Sequence, residues 1–369
     1  MITLKKLKNA EPTREANEKW YLYTDNETYE WDVYTLYNKP IDILKLKIDG
    51  FTKFEKKVNQ ISAERNRLFK DAKNNVVQCP VCGIYIDHYS IELTVYGANY
   101  VSCTNCSHRF VANRLNKSQL EEYYQKSSTY QSTYTQKEKA FLRIEEIHKP
   151  KLHWLLNNYQ RIYDRHPKAF LDIGAGSGHF AACCRNMGIH CDGIELSESG
   201  VNFAKDVFNI DLINIEFLEN WEKFVGKYDV VTFWGLIEHV PDPLLMLQNA
   251  RSVINDEETP MIVGSVPRWH SISSAIQFLK PDSIIRHLDP LGHIQCFTDT
   301  SICTLIARSN LKLNGVWYFG MDAYEMLIQL SLQAKTDDVI LTKMISQLQI
   351  VLDQSQLSDS VVFACSPEI

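Results

Sequence analysis

The chain has 369 residues, of which 45% are hydrophobic and 23% charged, values typical of a folded protein of two or three domains. Its 39 basic and 45 acidic residues give a net charge of −6, which argues against a surface built throughout for nucleic acid. The N-terminal stretch has no apolar signal-peptide core, and no apolar stretch is long enough to span a membrane. A cytoplasmic, reducing location is expected, where cysteine pairs are more often metal ligands than disulfides.

Composition and periodicity divide the chain into four zones. Apolar residues recur at helical spacing from Leu44 to Phe69, and tyrosines gather on predicted helices and a loop after residue 115. The zones are a mostly helical N-terminal extension at residues 1–75, a zinc ribbon at 76–114, a helical connector or lid at 115–160, and an α/β domain at 161–369. The α/β domain contains a helical insertion at 320–352.

Two C-x-x-C pairs predict a structural zinc site. Their spacing suits two knuckles that close one tetrahedron around a metal, and the four cysteines are Cys79, Cys82, Cys103 and Cys106. A redox pair or a chance pairing is the alternative. A redox C-x-x-C is expected to open a helix beside a strand, whereas Pro80 and Gly83 mark a turn here. Few basic residues follow the second knuckle, which favours a structural or docking role.

From residue 169 onward, short apolar strands alternate with helices, which predicts a parallel, doubly wound sheet. The predicted strands are Ala169–Ile173, His190–Leu196, Asp211–Phe217, Tyr228–Trp234, Pro260–Val266, Leu311–Phe319 and Ser360–Cys365.

A glycine-rich turn follows the first of these strands. Asp172 near the strand end precedes Gly174, Gly176 and Gly178, and alternate glycines let a ligand lie against the backbone and a helix N-terminus. A dinucleotide motif would have its third glycine where this chain has His179. The Asp172 carboxylate suits a cationic ligand better than a pyrophosphate, and S-adenosylmethionine is such a ligand.

An acid ends the second strand at Glu195. At this spacing from the glycine turn, a carboxylate accepts hydrogen bonds from the ribose hydroxyls of a nucleoside. A solvated carboxylate at a strand end is the alternative.

Three blocks of sequence resemble the class I S-adenosylmethionine-dependent methyltransferases, namely Leu171–Gly178, Gly193–Ser197 and Tyr228–Pro243. The E-H-V-x-D-P ending at Glu238–Pro243 is typical of a large subgroup that acts on quinones, sugars and other small molecules. The segment Leu291–Ile294 is also similar to that subgroup. The resemblance covers residues 160 to 320, and some members carry a zinc ribbon.

The resemblance implies a Rossmann-like sheet of seven strands with the last strand antiparallel. It implies that Asp172 and the glycines hold the methionine end of the cofactor and that Glu195 binds its ribose. A backbone contact near Phe217 or Leu218 is expected beside the adenine. Leu196 and Trp234, which lie at the ends of two predicted strands, are also expected to contact the cofactor.

Methyl transfer needs alignment and, for a hydroxyl or carbon acid, a base. By resemblance to sugar methyltransferases, Glu238 and His239 are the first candidates, and His293 is a second base. His239 could instead anchor the following loop. The quinone O-methyltransferases use an acid where this chain has Gly235 to help bind a divalent metal, so no catalytic metal is expected.

The sequence therefore predicts a methyltransferase that acts on a small-molecule biosynthetic intermediate, such as a saccharide, on O, N or C. Two alternatives stay open: an RNA-modifying enzyme that binds nucleic acid through the ribbon, and a non-catalytic module that only binds S-adenosylmethionine. The acidic balance favours the small molecule over RNA. The oligomeric state and the methyl acceptor are not indicated.

Overall fold

The structure is a computed structural model that describes residues 1–7, 14–38, 54–87, 90–116, 119, 137–254, 260–282, 287–334 and 344–368. Much of the predicted lid, including Tyr123, Tyr124, Tyr130 and Tyr134, lies outside these residues. None of the described helices is both long and apolar enough to cross a membrane.

The described part of the chain contains a large and a small β-sheet. The strands, in chain order, are β1 (Thr3–Leu7), β2 (Glu15–Tyr23), β3 (Thr28–Tyr37), β4 (Ile91–Val95), β5 (Ala98–Ser102), β6 (Arg109–Val111), β7 (Ala169–Ile173), β8 (His190–Ile194), β9 (Val230–Trp234), β10 (Met261–Pro267), β11 (Gln295–Cys296), β12 (Leu311–Phe319) and β13 (Ser360–Pro367).

The α-helices are α1 (Phe54–Phe69), α2 (Ala140–Arg143), α3 (Lys149–Tyr163), α4 (His179–Asn186), α5 (Glu198–Phe208), α6 (Phe217–Asn220), α7 (Pro243–Val253), α8 (Ile272–Leu279), α9 (Asp299–Arg308), α10 (Asp322–Ala334) and α11 (Ile345–Gln354). A π-helical turn, Ile144–His148, joins α2 to α3, and short 3₁₀ turns lie at Lys137–Lys139, Trp221–Phe224 and Ile237–His239.

The large sheet has the order β1-β2-β3-β12-β13-β10-β9-β7-β8. Strands β8, β7, β9 and β10 are parallel, and β13 runs antiparallel to both β10 and β12, as expected for the last strand. Adjacent residues of a strand face opposite layers: Phe170 packs with α3, α4 and α5, whereas Leu171 packs with the helices of the other face. The predicted doubly wound α/β fold is confirmed.

The expectation of a mostly helical N-terminal extension is wrong. Strands β1, β2 and β3 form a meander that extends the large sheet, and β3 pairs in parallel with β12. Trp20, Leu22, Trp31 and Val33 are buried in alternation with exposed neighbours, which is the two-residue period of a strand. The sheet thus has nine strands among the described residues instead of seven. Only helix α1 agrees with the expectation.

The predicted strand Asp211–Phe217 is reduced to an isolated bridge between Ile213 and Ile194. Two side chains of this segment bind backbone groups. Asn214 Nδ2 donates hydrogen bonds to the carbonyls of Glu195 and Leu196, and Glu216 caps the start of α6. The predicted helical insertion at 320–352 contains α10 and most of α11, and residues 335–343 lie outside the described part.

The small sheet has the order β11-β6-β5-β4 and carries the cysteine knuckles. Its fourth strand, β11, comes from the α/β region. The ribbon residues Val81, Val101 and Phe110 share one buried cluster with Leu305 and Ile306 of α9. The ribbon is therefore packed into the rest of the protein. The predicted domain boundaries stay a prediction.

Candidate active site

The glycine turn between β7 and α4 has a backbone that other residues rarely adopt. Gly174, Gly176 and Gly178 have φ values of 73°, 57° and 73°. A Cβ on Gly174 would lie 2.9 Å from Leu236 Cδ1, and one on Gly178 would lie 2.8 Å from the Ala204 Cβ, whereas one on Gly176 would meet nothing within 4 Å. Close packing fixes the two ends of the turn, and its middle leaves the backbone open to a ligand.

Asp172 is a buried acid beside this turn. The Thr232 hydroxyl donates a hydrogen bond to Asp172 Oδ1 at 2.7 Å, and the residue is only 1% exposed. Burial raises the pKa of Asp172 to about 7, against the lowering effects of the Thr232 hydrogen bond and the Lys151 charge. A cationic group bound here would stabilise the ionised form.

Lys151 of α3 lies on the same side of the site. Its Nζ sits 4.6 Å from the centroid of the Trp234 ring, and within the described residues it has no hydrogen-bond or ion-pair partner. Burial lowers the pKa of Lys151 to about 8, although the charges of Asp172 and Glu238 raise it. An ammonium in this position offers a binding point for an anionic group.

Glu195 follows β8 and braces the glycine turn. Its carboxylate accepts hydrogen bonds from the backbone N–H of Gly176 at 2.7 Å and of Ser197 at 2.7 Å. Each carboxylate oxygen has two acceptor positions, so both retain capacity for a ligand hydroxyl. The Gly176 contact joins the two predicted cofactor elements directly.

The remaining predicted cofactor residues differ in their surroundings. Phe217 is 2% exposed, and its ring lies near that of Phe224. Leu218 is partly buried, and Leu196 is 58% exposed. Trp234 packs on Phe180, and its buried indole N–H has no partner among the described atoms. The structure brings Trp234 beside Lys151 but leaves Leu196 at the surface.

Glu238, His239 and His293 form one polar cluster. One ligating atom from each lies within 4.8 Å of the others. Glu238 is 4% exposed, its Oε2 has no described partner, and its Oε1 lies 3.9 Å from His239 Nε2. A carboxylate and two imidazoles at these separations could transfer a proton or hold a divalent cation.

Both imidazoles of this cluster are oriented by backbone carbonyls. His239 Nδ1 donates to the carbonyl of Gly292 at 2.7 Å, and His293 Nδ1 donates to that of His287 at 2.5 Å. Because a carbonyl only accepts, each neutral ring keeps its lone pair on Nε2. Burial lowers the pKa of His293 to about 4, so that ring is neutral at pH 7. The side chain of His239 is 42% exposed and accessible to an acceptor.

The four knuckle cysteines converge on one point. All four sulfurs lie within 4.8 Å of one another, with 3.6 Å between Sγ of Cys79 and Cys106 and 3.5 Å between those of Cys82 and Cys103. A tetrahedron with zinc–sulfur bonds of about 2.3 Å has sulfurs about 3.8 Å apart. Hydrogen bonds from Cys106 and Cys79 lower the pKa of Cys103, which favours a thiolate at that position. The donor set and spacing fit a structural zinc ion.

Sequence reasoning missed Lys151 and Thr232. Lys151 lies at the polar start of a helix, where the sequence does not distinguish it from a solvent-exposed lysine. Its position over the Trp234 ring depends on tertiary packing. Thr232 lies two residues before Trp234 on β9. A polar residue in an otherwise apolar strand is the signal that could have indicated it.

Comparisons with known proteins were made for the whole chain. Residues 146–314 match the family model described as a methyltransferase domain. The ubiquinone biosynthesis O-methyltransferase of Coxiella burnetii is 32% identical over 91 residues, which are 24% of this chain and 39% of that enzyme. The enzyme of the same name from Acinetobacter baylyi is 28% identical over 125 residues, 31% of this chain and 49% of that enzyme. The chain thus spans less than half the length of these curated relatives.

Two solved structures are also similar. A SAM-dependent methyltransferase from Archaeoglobus fulgidus covers 59% of this chain and 93% of its own, with 18% identity and a TM-score of 0.40. The plantazolicin methyltransferase BpumL, in complex with SAH, covers 68% and 94%, with 16% identity and a TM-score of 0.44. The match of residues 146–314 to the methyltransferase-domain model agrees with the predicted enzyme class for that part of the chain.

Proposed function

We propose that this protein transfers a methyl group from S-adenosylmethionine to a small-molecule biosynthetic intermediate, such as a saccharide. The observation that carries the proposal is the buried acid Asp172 beside the glycine turn, together with the Lys151 ammonium over the ring of Trp234 at the end of the neighbouring strand β9. An amino acid has an ammonium and a carboxylate on one carbon, and this site offers a buried acid and an unpartnered ammonium. The methionine end of S-adenosylmethionine matches both charges.

The cofactor supplies a methyl group on a positive sulfur, already activated for in-line displacement. In this proposal Asp172 binds the cofactor's ammonium, and Lys151 binds its carboxylate. Glu195 accepts hydrogen bonds from the ribose hydroxyls while it holds the Gly176 N–H. The backbone near Phe217 and Leu218 contacts the adenine. Trp234 lies against the Lys151 ammonium and holds it beside the site.

The acceptor then lies against Glu238, His239 and His293. His239 Nε2 takes the proton that the acceptor oxygen, nitrogen or carbon loses, because its Nδ1–H is already bound to Gly292. The buried Glu238 carboxylate stabilises the imidazolium that results, and it lies 3.9 Å from that nitrogen. His293, neutral and half-buried, is the second base or a hydrogen-bond acceptor for the substrate.

Three observations support a small molecule over RNA as the acceptor. The chain carries a net charge of −6. His108 is fully buried, and Arg109 bonds to Ser107 and Glu92 within the ribbon, so the basic side chains after the second knuckle serve the fold. The curated relatives are named for a small-molecule pathway, ubiquinone biosynthesis. Zinc in this proposal is a structural ion, held by Cys79, Cys82, Cys103 and Cys106. A cytoplasmic location remains a prediction.

Isothermal titration with S-adenosylhomocysteine tests the cofactor assignment. We expect one site per chain in the native protein and loss of measurable binding in Asp172→Ala. Glu27→Ala, at the exposed turn between β2 and β3, is the control and should bind as the native protein does. Absence of binding by the native protein would refute both the enzyme and the binding-module alternative.

A further inference from the structure

The zinc ribbon contacts the acceptor side of the site through several bonds that converge on the two histidines. The segment 292–295 holds both of them: the Gly292 carbonyl accepts from His239 Nδ1, and His293 belongs to the segment itself. This segment continues directly into β11, the strand that completes the ribbon sheet by pairing with β6. The ribbon therefore fixes the backbone that carries one imidazole and orients the other.

Gln295 is the central residue of this connection. Its Nε2 donates to the carbonyl of Val240 at 3.0 Å and to that of Pro241 at 3.3 Å, directly after His239. Two carbonyls can only accept, so the amide nitrogen must face them and Oε1 faces the ribbon. There His108 Nε2 donates to Oε1 at 2.8 Å, two residues after the zinc-ligand candidate Cys106. Gln295 and His108 are both fully buried.

Further ribbon groups bind the same two segments. The Tyr100 hydroxyl of β5 donates to the His293 carbonyl at 2.9 Å, and the Val111 N–H donates to the Ile294 carbonyl at 2.9 Å. Arg114 Nη1, just after β6, donates to the Pro241 carbonyl at 3.0 Å. A zinc ribbon that only stabilised the fold could pack anywhere on the α/β region. The hydrogen bonds of this ribbon instead end on the residues beside His239 and on His293.

We infer that the zinc ribbon is an internal clamp that sets the positions of His239 and His293, with Gln295 as the positioning residue that links the ribbon to His239. The inference rests on the proposed function, because it assigns the ribbon to the acceptor side of that reaction. It also gives the ribbon a role within the chain that needs no nucleic acid.

Histidine-selective ¹⁵N NMR of the full-length, zinc-loaded protein tests the clamp without a known acceptor. The spectrum reports the tautomer of each imidazole, and His239→Gln and His293→Gln assign the signals. In the native protein we expect both rings to carry hydrogen on Nδ1. Gln295→Met keeps the side-chain length and removes the bonds that hold the Val240 and Pro241 carbonyls, so the His239 Nδ1 bond to Gly292 should weaken; a loss of about 1 kcal/mol there lowers the tautomer ratio of His239 by about fivefold.

Two comparison variants separate the clamp from a general loss of packing. Tyr100→Phe should shift the signals of His293 more than those of His239. Arg308, the last residue of α9, makes another contact with the ribbon: its Nη1 donates to the Val81 carbonyl at 2.6 Å, away from the histidines. Arg308→Met removes this bond and should leave the signals of both histidines unchanged.

Native-like histidine signals in folded Gln295→Met and Tyr100→Phe would overturn the clamp, as would equal changes in Arg308→Met. If Gln295→Met fails to fold, the Tyr100→Phe and Arg308→Met spectra decide by the same criteria. Titration with S-adenosylhomocysteine should give native affinity in all three variants. If the native protein does not bind S-adenosylhomocysteine, this result counts against the proposed function, whereas the NMR result on the clamp still holds.

Discussion

The hydroxyl of Thr232 on β9 donates a hydrogen bond to Asp172 Oδ1 on the neighbouring strand β7, at 2.7 Å. This bond stabilises the ionised carboxylate, which burial disfavours. It joins the acid that we assign to the cofactor's ammonium to the strand that carries Trp234. The charge of Asp172 at pH 7 therefore depends on a neighbour on β9 that the sequence analysis did not assign to the site.

Thr232→Val should weaken the binding of S-adenosylhomocysteine at pH 7 by about tenfold, because a hydrogen bond to a charged group contributes about 1.5–3 kcal/mol. The pKa of Asp172 would rise further, so more of it would be protonated. Thr35→Val is the matched control: Thr35 is buried on β3, and its hydroxyl has no partner among the described residues. Calorimetry at pH 7 and pH 9 measures both. Equal affinities for the two variants would contradict the role of this bond.

Cofactor affinity should depend on pH in a bell shape. Asp172, with its pKa raised to about 7, must lose a proton to bind an ammonium, so affinity rises as the pH passes that value. Lys151, with its pKa lowered to about 8, loses its charge above that value, so affinity then falls. Lys151→Met should move the alkaline limb to the pH at which the ligand's own ammonium loses its proton and weaken binding at pH 7.5 by about tenfold, whereas Lys151→Arg keeps the charge. A flat profile in the native protein would exclude both assignments.

Much of the α/β region could be predicted from the sequence because its signals are local. The buried strands are short apolar runs, and the glycine turn requires a backbone conformation that other residue types rarely adopt. The strands β2 and β3 were missed because tyrosines occupy both faces, so Tyr21 and Tyr34 obscure the alternation of Trp20, Leu22, Trp31 and Val33. The place of Lys151 over Trp234 could not be predicted, since it depends on how α3 packs against β9.

Loss of the zinc ion should destabilise the ribbon and, through it, the whole protein. We expect one zinc per chain by elemental analysis, and Cys82→Ser or a strong chelator should lower Tm by several degrees. Cys191→Ser is the control, because that cysteine lies outside the four-sulfur cluster. A metal-free native protein with the same Tm would rule out the structural zinc site.

Asp299 should contribute strongly to the stability of the N-terminal strands. It accepts from Arg268 Nε at 3.0 Å and from Lys6 of β1, and these charges hold its pKa below the usual range despite burial. Asp299→Asn leaves two buried cations without a counter-charge, and we expect a loss of about 3 kcal/mol in the free energy of unfolding at pH 7. Because the folded pKa is depressed, this stabilisation is present above the unfolded value, near 3.9, and is lost as the pH falls toward the folded value.

Urea denaturation measures that loss, and Glu30→Gln is its control. Glu30 pairs with Lys19 at 2.8 Å on the exposed surface of the same strands, where an ion pair contributes little. A loss in Asp299→Asn no larger than in the control would mean that the buried network does not hold β1 to the sheet.

His239→Gln should leave the affinity for S-adenosylhomocysteine within twofold and lower methyl transfer by about 100-fold, the usual effect of a general base. The ring lies on the acceptor side and does not contact Asp172 or the glycine turn in the described contacts. Turnover equal to that of the native protein would assign His239 to the anchoring of its loop through Gly292.

The central claim is a methyl transfer to a small molecule, and one labelling experiment tests it most directly. The protein is incubated with S-adenosylmethionine that carries tritium on its methyl group and with a cell extract, which is then separated into small molecules, RNA and protein. We predict label in the small-molecule fraction, unaffected by ribonuclease and absent with Asp172→Ala. Label in ribonuclease-sensitive material, or no transfer to any fraction by a protein that binds the cofactor, would contradict the account.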